Sequence, residues 1–541
     1  MEKKLSSPRP QRTFNTTAVC VPSLHYMADI SDKVNRIISE LIAPGHYFTI
    51  NRARQYGKTT LLSQLDKKLQ ECYYVIRISL ESSDDIFTSV QNLVNGFLYL
   101  TARELRSTGI SPALLAGWKA PVSAPLELVQ LDERITDLCS HAGKEIILMI
   151  DEADKCAGNE LFLTFLGLLR DKYIRRADQK DTTFKSVILA SVYDIKNLKQ
   201  KLRPNADSHY NSPWNIAADF TIDMSLSPTE IAGMLWDYES DHHYGIDIPW
   251  FSSHLHEYTS GYPYLVSRLC ELLDRQAKKE PEKSLQAAWW SPEGFQRTIK
   301  QLLITPCPLF DDINKNLDMY PELNQIIRDM LLHGTSYPYL ISDNATQLGV
   351  RFGYFKNDGG YLAVSNRIFE TYLYDMYQMY DMRTNPERSM TKQGILEKPG
   401  FLRNGFLDMD MVITRFKVHY DFLYSEQSWS FTEENGRFLF LTFLKPIING
   451  VGNYYVEART RDLTRTDIVV DYLGKQYIIE LKIYRGNSYQ EEGVEQLCEY
   501  LEHYGQDKGW LISFCFHKRK AKKSGIRQLQ CKGMTITEAI L

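Results

Sequence analysis

Residues 47–62 read YFTINRARQYGKTTLL, and residues 146–154 read IILMIDEAD. In the first stretch, Tyr47 to Ile50 is a short β-type run, NRARQYGKTT is a loop, and LLSQLDKKLQ takes up helical periodicity. Strand, loop ending in Gly57-Lys58-Thr59-Thr60, and helix is the order that nucleoside triphosphate binding requires. Backbone N–H groups and the helix N-terminus face the phosphates, Lys58 neutralises the β and γ oxygens, and the Thr59 hydroxyl can ligand Mg²⁺. The usual G-x-x-x-x-G-K-[ST] pattern would put glycine where Arg52 stands, so this loop is a variant. The second stretch supplies what hydrolysis needs beside such a loop, a buried apolar strand ending in two acids. Asp151 can hold Mg²⁺ through water, and Glu152 can polarise the attacking water.

Working outward, further apolar runs lie at Tyr73 to Leu80, Ser186 to Val192 and Phe220 to Met224, with helical segments such as Asn159 to Asp171 between them. Continuous apolar strands alternating with helices predict an α/β fold with a parallel sheet covered on both faces. That P-loop NTPase domain spans 14–225, after a loose polar tail at 1–13. From Ser225 the strand signals stop. SPTEIAGMLWDYES opens with a Ser/Thr-x-x-Glu cap, and GYPYLVSRLCELLDRQAKKE repeats its amphipathic pattern, so 226–300 reads as a helical lid. Residues 301–382 combine helices (Tyr320 to His333) with a hairpin turning at Asn357-Asp358-Gly359-Gly360, the pattern of a winged helix or of a plain α+β linker. Residues 383–425 are a connector, and 426–541 run helix, strands, helix, strand and basic loop.

The chain has 541 residues, 43% hydrophobic and 24% charged, which excludes a wholly disordered or fibrous protein. Lys and Arg number 63 against 67 Asp and Glu, so nucleic-acid binding must come from a local patch. The apolar stretches are too short for a membrane span, and the start MEKKLSSPRPQR is no secretory signal. Nine scattered cysteines without a C-x-x-C pair fit a reduced, cytoplasmic setting and no zinc module.

The stretches YFTINRARQYGKTTLL, IILMIDEAD, SVILASVYDIKNLK, YNSPWNIAADF and GYPYLVSRLC, in order over residues 14 to 275, resemble the bacterial AAA-ATPase-like family. Its members usually carry a C-terminal domain of the PD-(D/E)XK nuclease superfamily. The resemblance implies ATP and Mg²⁺ as cofactors and a variant loop running Arg54-Gln55-x-Gly57-Lys58-Thr59. It also implies a sensor-type polar residue at Ser191 or nearby, and a lid arginine, Arg268.

Residues 454–483 read YYVEARTRDLTRTDIVVDYLGKQYIIELKI. Alternation along a strand puts Glu480 and Lys482 on one face, and a hairpin turning at Gly474-Lys475 brings Asp467 close to Glu480. Two carboxylates and an ammonium so placed suit a divalent metal and a phosphate or water. This pattern resembles the Asp…Glu-x-Lys core of the PD-(D/E)XK superfamily, which a restriction-endonuclease-like α/β domain would carry. Gln496 and Tyr500 share a face of the next helix, a spacing that accompanies the core in a recombination-type branch. That family further expects a carboxylate on the preceding helix, for which Glu434 is the choice, with Glu433 and Glu457 as rivals. From Lys508 to Lys532 there are eight basic residues (Lys518, Arg519, Lys520, Lys522, Lys523 and Arg527 among them) and no acid, which suits contact with a phosphodiester backbone. The expected function is an ATPase with a Mg²⁺-dependent nuclease acting on nucleic acid, DNA foremost, gated by ATP state. The alternative is a nucleotide-dependent switch or scaffold whose nuclease fold binds without cleaving. Either admits a homo-oligomer.

Overall fold

Four of the five apolar runs form one parallel sheet. The computed structural model describes residues 12–81, 84–119, 127–156, 159–192, 213–333, 335, 337–384, 398–424, 433–448, 452–459, 465–484, 487–515 and 524–541. The chain divides into two compact units, one of Met1–Ser240 with Gly261–Arg268 and Arg351–Gly353, the other of Asp241–Ser260, Leu269–Val350 and Tyr354–Leu541.

In the first unit the strands Phe48–Asn51, Ser186–Ser191, Ile146–Asp151 and Tyr74–Ser79 lie side by side in that order, all parallel. Period-two alternation divides their side chains between two cores. Ile76, Ile78, Leu148, Ile150 and Leu189 face one layer, with Leu93 and Phe97, Leu131 and Ile135, and Phe162 and Leu166 from helices Val90–Leu105, Leu128–His141 and Glu160–Ala177. Phe48, Ile50, Ile147, Met149 and Ile188 face the other, with Leu61, Leu62 and Leu65 of helix Lys58–Leu69. Apolar side chains on both faces are why these strands read as unbroken apolar runs.

The fifth run corrects the expectation. Phe220 to Met224 is not a strand; the contact beside the loop strand is a single parallel bridge from Phe48 to Ala218. Just beyond it, the Asp223 carboxylate accepts from the Ser225 N–H (2.9 Å) and hydroxyl (2.6 Å), a local bond that competes with a ladder. The N-terminus differs as well. Arg12 and Thr13, expected in the loose tail, are fixed: Thr13–Phe14 pair in parallel with His25–Tyr26, and the Arg12 guanidinium meets Asp237 at 2.9 Å. The helix Pro228–His242 opens as its cap signal predicts, with Ser227 Oγ accepting from the Glu230 N–H at 3.2 Å and Glu230 Oε2 accepting from the Ser227 N–H at 2.7 Å.

The second unit contains helices Pro308–Met319 and Pro321–His333 and a hairpin of Phe355–Asp358 with Tyr361–Val364, whose turn glycines 359 and 360 have φ of 59° and 87°. Its largest element is a six-stranded mixed sheet in the order Gly452–Arg459, Arg465–Tyr472, Lys475–Ile483, Lys508–Phe514, Met534–Ile540, Gly525–Cys531. The first three strands are antiparallel; the third, fourth and fifth are parallel, the helix Asn487–Tyr504 making the first crossover. The hairpin turns on Leu473-Gly474, one residue earlier than expected, with φ of 54° and 77° and Tyr472 paired to Lys475. Helices Glu433–Ile448 and Asn487–Tyr504 cover opposite faces. A Cβ on Gly436 would stand 2.1 Å from the Phe514 ring, and one on Gly493 would stand 3.5 Å from Lys482 Cγ.

One buried network ties this sheet to the unit's helices. The Asp471 carboxylate accepts from the Tyr258 hydroxyl (3.1 Å), the Gln296 amide (3.1 Å) and the Gly474 N–H (3.2 Å), and the Arg367 guanidinium lies over the Tyr258 and Tyr455 rings. Burial raises the Asp471 pKa from 3.8 to about 6, against the opposing pull of the Tyr258 hydrogen bond and Arg367. A raised acid favours the folded state while protonated and loses that advantage as pH rises through the folded pKa. Stability in urea should therefore fall between pH 4 and pH 7 by up to about 3 kcal/mol from this group. Asp471→Asn should flatten that part of the profile; an unaltered profile in the variant would remove Asp471 as its source.

Candidate nucleotide site and a C-terminal polar cluster

The loop between Phe48–Asn51 and Lys58–Leu69 holds one glycine, Gly57, which begins the helix at φ 78°. Gln55 is left-handed too, at φ 58°, a conformation that costs a residue bearing a Cβ on the order of 1 kcal/mol. Lys58 is 7% exposed, and its ammonium donates to the carbonyls of Arg52 (2.8 Å) and Ala53 (2.9 Å). Burial lowers its pKa, while Glu152, Asp154 and Asp151 pull it back up. Arg52, in the usual glycine position, turns its guanidinium away to the carbonyls of Asn51 (2.8 Å) and Ile222 (3.0 Å), over the Phe220 ring.

A cavity of about 410 Å³ opens over this loop, lined by Arg54, Gln55, Gly57, Lys58, Thr59, Thr60 and Glu152. A second, of about 370 Å³, shares Thr59, Glu81 and Glu152 with it and adds Asp151. Asp151 is buried at the end of its strand and accepts from the Glu152 N–H at 3.0 Å. Glu152 is left-handed at φ 55°; burial first, then Asp154 and Asp151, raise its pKa, with Lys58 opposing. The hydroxyl of Thr59 and the carboxylate of Asp151 are hard oxygen donors on the wall of one cavity, a set that fits Mg²⁺.

Two expected residues stand elsewhere. Ser191 is buried and donates to Asn51 Oδ1 at 2.9 Å, at the foot of the loop and off the cavity wall. Arg268 belongs to the helix Pro263–Ala277, which lines the cavity with Pro263, Tyr264 and Ser267 instead.

Sequence reasoning missed the rest of the cavity. The segment 15–20 crosses the site, Cys20 donating its N–H to the Thr60 hydroxyl at 3.2 Å. The same cavity has an apolar wall of Met27, Ile30, Ile37, Ile222, Met224 and Met234. These residues come from three distant stretches, and no local pattern marks them.

The profile of the AAA-like domain family matches residues 16–374. The chain belongs to that family. Among solved structures, the AAA-like chain is similar to a Walker-type ATPase of Pyrococcus abyssi at 13% identity, a TM-score of 0.42, and coverage of 66% of this chain and 99% of that one. It is also similar to CDC6P of Pyrobaculum aerophilum (13% identity, TM-score 0.31, 64% of this chain and 94% of that one). A third is the ORC1 protein of Aeropyrum pernix in complex with DNA (11% identity, TM-score 0.29, 64% and 93%). No curated protein matches the sequence.

The AAA-like chain carries a second polar cluster beyond the matched region. Glu480 is 1% exposed and lies 3.0 Å from the Lys482 ammonium, as their shared face predicts. Gln496 donates to the Tyr500 hydroxyl at 2.5 Å. Register continues the row: Glu480 pairs with Leu511, Leu511 with Glu538, and Glu538 with Arg527. Gln490, which no sequence pattern singled out, donates to Ser513 Oγ (2.6 Å) and Glu538 Oε1 (2.5 Å). The nearest local signal is the lone acid in the apolar strand MTITEAI. Asp467 lies on Arg465–Tyr472, next after Thr466 and before Ile468, which pairs with Ile479, so the register leads it towards Glu480. The side chains of Asp467, Glu433, Glu434 and Glu457, and the whole of 516–523 with Lys518, Arg519, Lys520, Lys522 and Lys523, lie outside the described residues. Two other members of the basic run are already paired, Lys508 with Asp410 at 2.5 Å and Arg527 with Glu538. Among the described residues, no three His, Cys, Asp or Glu side chains are grouped to hold a metal, and no helix is long and apolar enough to cross a membrane.

Lys58→Ala should lose ATP binding, measured with a fluorescent ATP derivative, while the circular dichroism spectrum stays native. Glu152→Gln should retain binding and slow hydrolysis by at least about tenfold, because the amide keeps the shape and loses the base. If Glu152 takes a proton from the attacking water it must be charged, and with its pKa raised by burial the acid limb of hydrolysis should lie above the ordinary glutamate range and vanish in the amide variant. Binding abolished in Glu152→Gln would make that residue structural.

Proposed function

We propose that the chain binds and hydrolyses ATP with Mg²⁺ at the Lys58 loop, and that its C-terminal sheet is a Mg²⁺-dependent nuclease acting on DNA under control of the ATP state. What supports the ATPase half is the convergence of Lys58, Thr59 and Glu152 on one cavity, with Asp151 on its neighbour. Lys58 would bind the terminal phosphates, Thr59 and Asp151 would hold the cation, and Glu152 would take a proton from the attacking water. Mg²⁺ bound there supplies charge neutralisation on the phosphate oxygens.

The nuclease half is supported by one observation above the rest, the pair of the buried Glu480 carboxylate with the partly exposed Lys482 ammonium at 3.0 Å on the third strand of the C-terminal sheet. The order of helix, three antiparallel strands, helix and parallel strand around it is the order the Asp…Glu-x-Lys core requires. Asp467, Glu480 and Glu434 would hold a divalent ion, Lys482 would orient water or phosphate, and Gln496 and Tyr500 would support the site from the helix. The helices and hairpin of 301–382 would serve as a winged helix, and the basic stretch from Lys508 to Lys532 would meet the phosphate backbone. Domain roles follow: 14–225 the ATPase, 226–300 the lid, 383–425 the connector and 426–541 the nuclease.

Purified protein incubated with plasmid and linear DNA, with and without Mg²⁺ and ATP, tests this directly. Wild type should nick or cut DNA only with Mg²⁺, and Asp467→Ala or Glu480→Gln should abolish cutting with DNA affinity within about threefold. Cutting that survives both substitutions would refute the site; DNA binding without cutting by wild type would favour the switch or scaffold. Replacing Lys518, Lys520, Lys522 and Lys523 by Ala should weaken binding about equally for unrelated sequences. The slope of log K against log salt should flatten by roughly 0.7 to 0.9 for each phosphate no longer neutralised.

A further inference from the structure

The segment Gly261-Tyr262-Pro263 opens the helix Pro263–Ala277, and Tyr262 has no part in the chemistry assigned to the Lys58 cavity. Tyr262 is buried, and its hydroxyl donates to the Arg54 carbonyl at 2.5 Å. Its ring meets Tyr56 edge-on, with centroids 4.6 Å apart. Pro263 lies 3.8 Å from where a Cβ on Gly57 would stand. Gly261 fixes this approach: its carbonyl accepts from the Leu226 N–H at 2.7 Å, its φ is +70°, and a Cβ there would stand 2.2 Å from the Leu226 oxygen. No other residue fits at 261 without moving the backbone that carries Tyr262.

The Arg54 carbonyl belongs to the peptide unit whose N–H is that of Gln55, and Gln55 is left-handed at φ 58°. Rotating that peptide would carry Gln55 out of the left-handed region and reverse the direction of its N–H. A glycine-rich loop adopts the left-handed form freely, but a glutamine is disfavoured there and needs an outside hold. We infer that Tyr262 is a positioning residue that clamps the Arg54–Gln55 peptide in the orientation nucleotide binding needs, holding by a hydroxyl a left-handed form that a glycine would adopt unaided. The inference rests on the reading of the Lys58 cavity as an ATP site.

The test is Tyr262→Phe, which keeps the ring and removes the donor. The affinity for a fluorescent ATP derivative and the KM for ATP should worsen about three- to tenfold, the worth of one neutral hydrogen bond. The kcat should stay within about twofold, and thermal unfolding without nucleotide should be unchanged. In a Gln55→Gly background, where the left-handed form is free, the same substitution should lose most of its effect. An unaltered KM in Tyr262→Phe, or an equal loss in both backgrounds, would overturn the clamp while leaving the ATP site standing. A fall in melting temperature with KM unchanged would overturn it too, since it would make the hydroxyl merely structural. Wild type that binds no nucleotide would overturn the site reading and the clamp together.

Discussion

A buried ammonium organises the first unit. Lys58 is almost entirely withdrawn from water, and an unpaired charge there would be costly, so the loop folds its own carbonyls at 52 and 53 onto it. Carbonyls that face a cation cannot face an anion, and this sorts the loop's polar groups into two sets. The same requirement explains the neighbours. Glu152, Asp154 and Asp151 supply negative field from two strands away, and the Ser191–Asn51 hydrogen bond pins the strand end from which the loop departs. Sheet order follows this logic. The strand Ser186–Ser191 separates the loop strand from the acid strand, so charge acts across a neutral strand instead of collapsing into a direct ion pair.

Much of this was legible beforehand, for physical reasons that also mark where legibility ends. Parallel strands covered on both faces must be apolar throughout, and the strand before the loop, the acid strand and the Ser186–Ser191 strand announced themselves by that property. The run Phe220 to Met224 carries the same signal and is no strand; Ile222 and Met224 are apolar because they pack into the core around the loop helix and also line the cavity. Composition records burial; it does not record what a residue is buried against. The segment 15–20 illustrates the complementary failure. Nothing in NTTAVC marks a nucleotide site, and its role arises from a contact between residues 20 and 60 that no local period encodes.

In the C-terminal sheet the period of two worked as well as it can. It put Glu480 and Lys482 on one face, and the register of the sheet extends that face to Glu538. Charge counting worked less well. Lys508 and Arg527 belong to an acid-free stretch of sequence, yet each finds a carboxylate from elsewhere, Asp410 on a helix and Glu538 on the next strand. A run of like charge in sequence measures local repulsion only. What remains available to a phosphate backbone depends on partners folded in from a distance.

Lys172 and Lys482 sit in ion pairs that are built differently. Lys172 is wholly buried; its ammonium is held by the Asp132 carbonyl and carboxylate, the Thr136 hydroxyl and the Asp181 carboxylate, all between 2.7 and 3.0 Å. It lines neither the Lys58 cavity nor its neighbour, and a network so fully satisfied holds helices in register. The Glu480–Lys482 pair is built otherwise. Its carboxylate is buried in an apolar strand, but the lysine side chain is 18% exposed, so the pair reaches solvent at its cationic end. An ion pair in such a place adds little stability, and apolar residues of similar volume would serve the sheet as well or better. Stability therefore gives little reason for an acid and a base at these two positions, and the pair differs from Lys172 in keeping its cationic end open to solvent.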